Sequence, residues 1–261
     1  MLLDVFVTGG SMEESLIIER LSLFGLGRQE ATIYVCLLKN EPLTGYEVGK
    51  ITGISRSNVY STLNSLVEHG AAYILEGTPS RYTAVDINEF CDNRIRYLKS
   101  IKNQLSTRDW MKGKSVEGYI TIEGFQHICD KIHHMLMNAE MRIYFSAESS
   151  FLTRWEEELS VLVDRGNKVV LISDDVSKLF HHNKKLREGV IFYEMLDKSD
   201  DKRNQVRLII DSAFVLTGEI SSDAKNTCLY SAQKNFVSVF KDALKNEIEL
   251  IKIRQEQVYN A

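Results

Sequence analysis

Residues 55 to 64 carry small polar side chains whose chemistry suits the reading of DNA. Hydroxyls, amides and a guanidinium match the hydrogen-bonding groups of base edges and phosphate oxygens. Ser55 and Ser57 stand at the start of a predicted helix, where free backbone N–H groups help to hold phosphate. The other candidates for contacts with bases or phosphates are Arg56, Asn58, Tyr60, Ser61 and Asn64. This face is polar but carries little charge, which favours recognition over simple solvation.

The helix that carries these residues is predicted from the spacing of its apolar side chains. Its buried stripe consists of Val59, Leu63, Leu66 and Val67. Asn58 lies near the edge of that stripe, and the other polar candidates lie on the opposite face. Ser55 is predicted to cap the helix and Gly70 to end it.

A shorter helix is predicted directly before this one. Thr44 is its expected cap, and Val48 and Ile51 are expected to point inward. Gly53 ends it at the position where a tight turn between two helices favours φ > 0. The two helices therefore have the order of a helix-turn-helix.

A small β-hairpin is predicted after the second helix. Strands over residues 73–76 and 81–85 are joined by the turn Gly77-Thr78-Pro79-Ser80. The combination predicts a winged helix-turn-helix domain over residues 13–86. The wing residues expected on the adjacent DNA backbone are Thr78 and Arg81.

The charge balance excludes a protein that binds polyanions through its overall charge. The chain of 261 residues has 32 Lys and Arg against 36 Asp and Glu. Residues 13–86 are also acidic, with six cations against nine carboxylates. DNA affinity is therefore expected to come from locally placed cations and from two linked copies, with a moderate salt dependence.

Four scattered cysteines form no CxxC pair and no disulfide pattern, which favours a reducing cytoplasm. Cys129 and His133 have i, i+4 spacing but no third ligand, so no metal site and no cofactor are predicted. The first 12 residues lack the features of a signal peptide or a membrane span. They are expected to be flexible, and translation could begin at Met1 or Met12.

Residues 87–112 are predicted to form one long, mostly polar linker helix. Its narrow apolar stripe consists of Ile95, Leu98, Ile101 and Leu105. Such a stripe requires a partner helix, either from a second copy or from the C-terminus.

Strands and helices alternate over residues 113–261, with helices expected at 150–165 and 177–187 among others, which predicts an α/β domain. The fold class is thus multidomain, α+β followed by α/β.

The first third of the chain resembles the N-terminal domain of the TrmB family of transcriptional regulators. The matching positions are Gly25-Leu26, Glu30-Ala31, Tyr34, Ile51, Gly53-Ile54, Arg56-Ser57, Val59-Tyr60, Leu63, Leu66, Gly70, Tyr82 and Ala84-Val85. The resemblance implies a DNA-binding transcriptional regulator that recognises a double-stranded operator. It also implies that the linker helix pairs two subunits into a homodimer.

TrmB-like regulators carry a C-terminal domain that resembles the phospholipase D fold, and the run VRLIIDSAFVLTGE fits that resemblance. Active enzymes of that fold have the pattern His-x-Lys-x4-Asp-x6-Gly-Ser, in which His is the nucleophile and Lys holds the phosphate. Asp211 and Gly218 match the pattern, but Asn204 and Val206 occupy the His and Lys positions. The resemblance therefore implies a phospholipase D-like domain without enzymatic activity.

Two alternative functions remain open from the sequence. His182 and Lys184 supply a second His-x-Lys pair, which would suit a phosphodiesterase, although Gly189 stands where the pattern needs Asp. The winged helix could instead pack on another protein, as an interaction module.

An α/β domain without catalytic groups is expected to sense a ligand or to bind a partner. Such folds open a crevice at the carboxyl ends of their strands. The polar residues predicted there, as candidates for contact with a small-molecule effector, are Ser146, Glu148, Ser173, Asp174, Asp211 and Glu219. Ordinary caps and turns would place the same residue types at the same positions.

Overall fold

The computed structural model describes residues 6–106, 118–221 and 226–259. The chain divides into two compact units, Met1–Gly113 and Lys114–Ala261. Residues 107–117, which include the predicted boundary and the end of the predicted linker helix, lie outside the described ranges.

The first unit contains five helices and a small antiparallel sheet among its described residues. The helices and strands are α1 (Phe6–Leu23), α2 (Arg28–Leu38), β1 (Leu43–Thr44), α3 (Gly45–Thr52), α4 (Arg56–Glu68), β2 (Ala72–Leu75), β3 (Arg81–Ala84) and α5 (Ile87–Ser106). The sheet has the order β1-β3-β2. This is the predicted winged helix-turn-helix, with β1 as an additional short strand.

Tyr34 organises the core of this unit. Its side chain is fully buried, and its hydroxyl donates a hydrogen bond of 2.8 Å to the backbone oxygen of Val85. Its ring centroid lies 5.4 Å from that of Phe90 at the start of α5. Burial raises the pKa of Tyr34, so the hydroxyl stays protonated and keeps donating. The contact joins α2 to the end of the wing and to α5.

One expectation about the first unit is wrong, and its first helix begins before the predicted domain. Ile51 is 55% exposed, because Val48 alone occupies the inward position of the short helix α3 at that level. Helix α1 begins at Phe6, whereas the domain was predicted to begin at residue 13. Gly9 and Gly10 lie inside this helix, and their low helix propensity conceals it in the sequence pattern.

The second unit is an α/β domain, as predicted. Its helices and strands are β4 (Tyr119–Glu123), α6 (Phe125–Met137), β5 (Arg142–Ser146), α7 (Ser149–Leu152), α8 (Glu156–Asp164), β6 (Lys168–Ser173), α9 (Lys184–Gly189), β7 (Val190–Glu194), α10 (Asp200–Arg203), β8 (Gln205–Ile210), β9 (Phe214–Glu219), β10 (Thr227–Ser231) and α11 (Lys234–Tyr259). Seven strands form one sheet in the order β4-β10-β9-β8-β5-β6-β7. The β5-β6 and β6-β7 pairs are parallel, and the other pairs are antiparallel.

The two faces of this sheet are covered by different helices. Alternate strand residues such as Phe145 and Leu171 belong to the larger core, which α6, α7 and α8 complete. Residues of the opposite parity, such as Ile172 and Ile209, pack against Val237, Leu244 and Ile251 of α11. Helix α11 therefore closes this domain.

Two helices of the second unit are shorter than the sequence pattern predicted. The helix expected over residues 150–165 is divided into α7, a 3₁₀ turn over Thr153–Trp155 and α8. The helix expected over 177–187 is reduced to a 3₁₀ turn at Val176–Lys178 and the short α9. Strand β10 was not predicted; it pairs with β9, the strand that precedes it, and with β4, which is distant in sequence and so invisible to a local pattern.

Within the described residues, no helix combines the length and the apolar character needed to cross a membrane.

Candidate nucleic-acid interface

Local signals fix the geometry of the α3-turn-α4 motif. The Thr44 hydroxyl accepts a hydrogen bond from the Glu47 backbone N–H, and the Glu47 carboxylate in turn accepts one from the Thr44 N–H. Gly53 follows α3 with φ of +70°, in the left-handed region that glycine adopts at low cost. These two features set the direction in which α4 leaves the turn.

Ser55 occupies the N-cap position of α4, but its side chain makes no capping hydrogen bond, contrary to prediction. Its φ and ψ of −59° and 146° direct the chain into the helix without help from the hydroxyl. The hydroxyl and the first backbone N–H groups of α4 therefore remain without a side-chain cap. A helix start of this kind suits a phosphate group.

All of the predicted recognition residues on α4 lie on the exposed side of the helix. Val59, Leu63 and Leu66 are fully buried and set the rotation of the helix. The exposed residues are Ser55, Arg56, Ser57, Asn58, Tyr60, Ser61 and Asn64. The structure thus brings these polar groups together on one continuous surface, which includes Asn58 in spite of its position beside the apolar stripe.

Tyr46 on α3 belongs to this surface, although it was not among the residues predicted from the sequence. The guanidinium carbon of Arg56 lies 5.4 Å from the centroid of the Tyr46 ring. A cation–π contact of this kind orients the guanidinium before any ligand binds. The available cue in the sequence was an aromatic residue at an outward position of α3, but its contact with Arg56 depends on the angle between two helices.

Gly45 allows α3 and α4 to approach each other closely. A Cβ atom at this position would lie 2.6 Å from Cε1 of Tyr60. The ring of Tyr60 therefore rests against the start of α3, and Tyr60 is 42% exposed. Any larger residue at position 45 would displace the ring of Tyr60.

In the wing, Thr78 lies free on the surface of the turn, whereas Arg81 is held by contacts with residues outside the wing. Thr78 is exposed in the turn between β2 and β3. Nη1 of Arg81 donates a hydrogen bond of 2.7 Å to the backbone oxygen of Pro42 and lies 3.5 Å from the Glu47 carboxylate. Hydrogen bonds from Thr44, with a smaller contribution from Arg81, hold the pKa of Glu47 below its ordinary value. Arg81 therefore anchors the wing to the start of α3, so it can reach DNA only through the rest of its exposed guanidinium.

Helix α5, the last helix of the first unit, has an exposed apolar stripe. Phe90 is buried in the core, and Nε of Arg94 donates a hydrogen bond of 2.9 Å to the backbone oxygen of Phe24. Beyond this anchor, Ile95, Leu98 and Leu105 are 41%, 49% and 45% exposed. In the described residues, the stripe lies on the surface of the unit.

In the second unit, two of the effector candidates line one crevice. Glu148 and Asp174 lie at the carboxyl ends of β5 and β6, in a cavity of about 590 Å³. Asp174 accepts hydrogen bonds from the Ser149 N–H and the Ser173 hydroxyl, at 2.7 and 3.2 Å. Burial works against ionisation, but these donors lower the pKa of Asp174 below its usual value. A crevice therefore opens at the carboxyl ends of β5 and β6, and one of its carboxylates is already engaged in the fold.

The remaining effector candidates are separated from this crevice. Ser146 is buried and accepts a hydrogen bond of 2.9 Å from Arg207, which also pairs with Glu247 of α11 at 2.8 Å. Glu219 lies at the end of β9 and borders a different cavity on the α11 side of the sheet. The alternation of side chains along a strand sends neighbouring polar residues to opposite faces, which dispersed the predicted set.

Asp211 lies at the opposite end of β5 and has a structural role. Its carboxylate accepts hydrogen bonds of 2.8 Å from the backbone N–H groups of Glu140, Met141 and Arg142. Partial burial favours the neutral acid, but the three N–H donors prevail and keep the pKa of Asp211 below its ordinary value. Its placement in the effector crevice was therefore wrong.

Gly218, the second residue that matches the phospholipase D pattern, also serves the fold. A Cβ atom there would clash with the backbone of Thr227 and Cys228 in the neighbouring strand. The part of the motif that this chain retains thus builds the sheet.

The positions that would carry phosphodiester chemistry are occupied by unsuitable groups. Asn204 ends α10, and Val206 is buried in β8. His182 and Lys184 are exposed at the start of α9, where Lys184 lies 3.7 Å from Glu188. His182 thus lies outside the strand position that the enzyme pattern requires.

Two family models match the chain, one for each unit. The model described as "Sugar-specific transcriptional regulator TrmB" matches residues 21–88. The model described as "Transcriptional regulator TrmB, EBD N-terminal subdomain" matches residues 118–240.

A curated relative and two solved structures are similar to this chain. The "HTH-type sugar sensing transcriptional regulator TrmBL1" of Pyrococcus furiosus is 29% identical over 62% of this chain and 48% of its own length. The chain thus spans about half the length of this curated relative.

A structure described as "TrmBL2, an archaeal chromatin protein", which "shows a novel mode of DNA binding", covers 90% of this chain and 97% of its own at 21% identity, with a TM-score of 0.42. Nuc from Salmonella typhimurium, a phospholipase D family member, covers 51% of this chain and 94% of its own at 10% identity, with a TM-score of 0.36.

Proposed function

This chain belongs to the TrmB family of transcriptional regulators, and from that premise we propose that it binds double-stranded operator DNA in a sequence-specific manner. The exposed polar face of α4 carries the proposal. Its buried stripe fixes the helix in the domain, while hydroxyl, amide, guanidinium and phenol groups point outward from successive turns. Helix α4 is proposed to enter the major groove, with the wing around Thr78 on the adjacent backbone.

We propose further that the regulator acts as a homodimer through α5. Ile95, Leu98 and Leu105 form a row of exposed apolar side chains on a helix that is otherwise mostly polar, which indicates a surface that a partner covers. A second copy of the same helix would cover it across a two-fold axis. Two copies of α4 would then contact half-sites about one helical turn of DNA apart, or a multiple of that distance.

The second unit is proposed to regulate and not to catalyse. With Asn204 and Val206 at the positions of the nucleophile and the phosphate-binding lysine, it lacks the groups for phosphodiester hydrolysis. A ligand in the crevice beside Glu148 would regulate only if it bound the DNA-competent and incompetent states with different affinity. The protein is proposed to work in the cytoplasm, where operator DNA is accessible.

Replacing Arg56 by Ala should weaken specific DNA binding by about 1–3 kcal/mol and relax preference at one base position. The expected cause is the loss of a guanidinium that contacts a base edge and that Tyr46 orients. Replacing Tyr46 by Leu should have a smaller effect, because the charge of Arg56 remains. The measurement is fluorescence anisotropy on an operator selected from a random DNA pool.

Arg28→Ala is the matched control, since Arg28 is also an exposed arginine but lies at the start of α2. Its affinity for the operator should equal that of the unchanged protein. Equal affinity of Arg56→Ala and the unchanged protein would show that this face of α4 does not read DNA.

Purified protein should show no turnover of a generic phosphodiester substrate such as bis(p-nitrophenyl) phosphate. The reason is the absence of a nucleophile at position 204 and of a cation at position 206. Turnover that disappears in His182→Ala would contradict this expectation and would favour the alternative phosphodiesterase.

A further inference from the structure

Another cavity lies on the α11 side of the sheet, away from the crevice of Glu148 and Asp174. It has a volume of about 340 Å³ and is bounded by the beginnings of β5, β6 and β7 and by α11. Tyr144, Val170 and Ile191 lie beside one another in the strand register and form its floor. Leu244 and Ile248 of α11 complete the apolar part of the wall.

The rim of this cavity is strongly basic. Its cations are Arg142, Lys168, Lys241, Lys245 and Lys252, against a single carboxylate, Glu249. Arg142 and Lys168 are direct neighbours in the register of β5 and β6. Among the described residues, none of these five cations forms an ion pair with a carboxylate. Such a concentration of positive charge in an acidic protein attracts an anion.

The same cavity offers surfaces for a flat ring. Tyr144 and Tyr193 are half-buried on the sheet, and Nζ of Lys252 lies 5.9 Å from the centroid of the Tyr193 ring. Aromatic side chains pack favourably against planar ligand groups. The volume is at the lower end of the range for small-molecule sites and is far too small for a duplex.

We propose that this cavity binds a nucleotide-type ligand, a small molecule with a flat ring and two or more negative charges on phosphate groups. The ring would rest on the floor between Tyr144 and Tyr193, and the phosphates would lie among the rim cations. The crevice at the carboxyl ends of β5 and β6 lacks this combination, because carboxylates such as Glu148, Asp174 and Asp175 face its cations. The proposal does not depend on the DNA-binding role of α4.

Isothermal titration calorimetry of the full chain with ADP, GDP, pyrophosphate and adenosine tests this assignment. We expect ADP or GDP to bind most tightly, pyrophosphate more weakly and adenosine not at all. The affinity of the nucleotide should fall steeply between 50 and 300 mM salt, since the rim cations are exposed.

Reversing two rim charges together, with Lys168→Glu and Lys245→Glu in one protein, should weaken nucleotide binding at least tenfold. The matched control is the double variant Lys202→Glu and Lys234→Glu, because both are exposed lysines outside the cavity. Tyr193→Leu should weaken the nucleotide but leave pyrophosphate unchanged. Circular dichroism verifies that each variant is folded. If the protein with Lys168→Glu and Lys245→Glu is unfolded, Tyr193→Leu still tests the proposal.

Three results would overturn the proposal. If neither ADP nor GDP binds at millimolar concentration, nucleotides are excluded as the ligand class. Equal weakening by the double variant Lys202→Glu and Lys234→Glu would show that the overall charge of the chain is responsible. Pyrophosphate binding as tight as that of ADP and GDP would show that the cavity holds an anion without using the rings.

Discussion

Replacing Leu98 by Glu should convert the protein to a monomer and weaken its binding to a two-half-site operator by about 100-fold or more. Leu98 is 49% exposed in the single chain, so the substitution removes little packing within one copy. In a dimer, each copy would bring one new carboxylate to the middle of the apolar interface, where desolvation opposes it. Loss of the second half-site then removes the advantage of linked binding.

Light scattering at micromolar concentration measures the mass, and fluorescence anisotropy on one and two half-sites measures the affinity. Ser100→Glu is the matched control, since Ser100 is exposed on α5 away from the stripe. It should remain dimeric with unchanged affinity. A Leu98→Glu protein that keeps the dimer mass would show that α5 does not form the interface.

Replacing Asp211 by Ala should destabilise the second unit by about 2–4 kcal/mol. Three backbone N–H groups at the start of β5 lose a charged acceptor, and each such hydrogen bond contributes about 1.5–3 kcal/mol before the discount for solvent access. Asp211 also has φ of +52°, a left-handed conformation that Asp tolerates better than Ala does. Urea unfolding of the full chain, followed in the transition of the second unit, measures the loss.

Asp211→Asn separates the charge from the backbone conformation. Asn also tolerates positive φ, but its amide group cannot accept hydrogen bonds on both sides, so its loss of stability should be intermediate. Equal stability of Asp211→Ala and the unchanged protein would show that the three hydrogen bonds contribute nothing net.

The stability that Asp211 provides should also depend on pH in a defined direction. Its pKa is lowered in the folded protein, so the carboxylate stabilises the fold above its unfolded pKa of about 4. That contribution is lost as the pH falls through the lower, folded pKa. Between pH 5 and pH 2, the unchanged protein should therefore lose more stability than Asp211→Asn. The same loss in both would mean that other carboxylates account for the acid sensitivity.

The sequence by itself determined the helix-turn-helix, because its signals act over a few residues. Thr44 caps α3, Gly53 adopts the left-handed conformation, and the period of Val59, Leu63 and Leu66 fixes the exposed face of α4. Each of these depends on local backbone geometry and on helical spacing. The alternation of strands and helices in the second unit was predictable for the same reason.

Only the tertiary structure decided which polar groups are free to bind a ligand. Arg81 appeared available for DNA but is held by Pro42, and Asp211 appeared to face a crevice but holds the start of β5. Their partners lie 39 and 70 residues away along the chain. No local pattern contains contacts of that range, because they depend on how the strands are ordered in the sheet.

The same limit applies to surfaces built from separate segments. The contact between Tyr46 and Arg56 depends on the close approach of two helices at Gly45, and the basic cavity forms only when α11 covers the beginnings of three strands. The sequence thus determines which elements form and which faces they bury, since backbone propensity and hydrophobic period are local. The fold decides which side chains meet, since hydrogen bonds and cavities join residues that are distant in sequence.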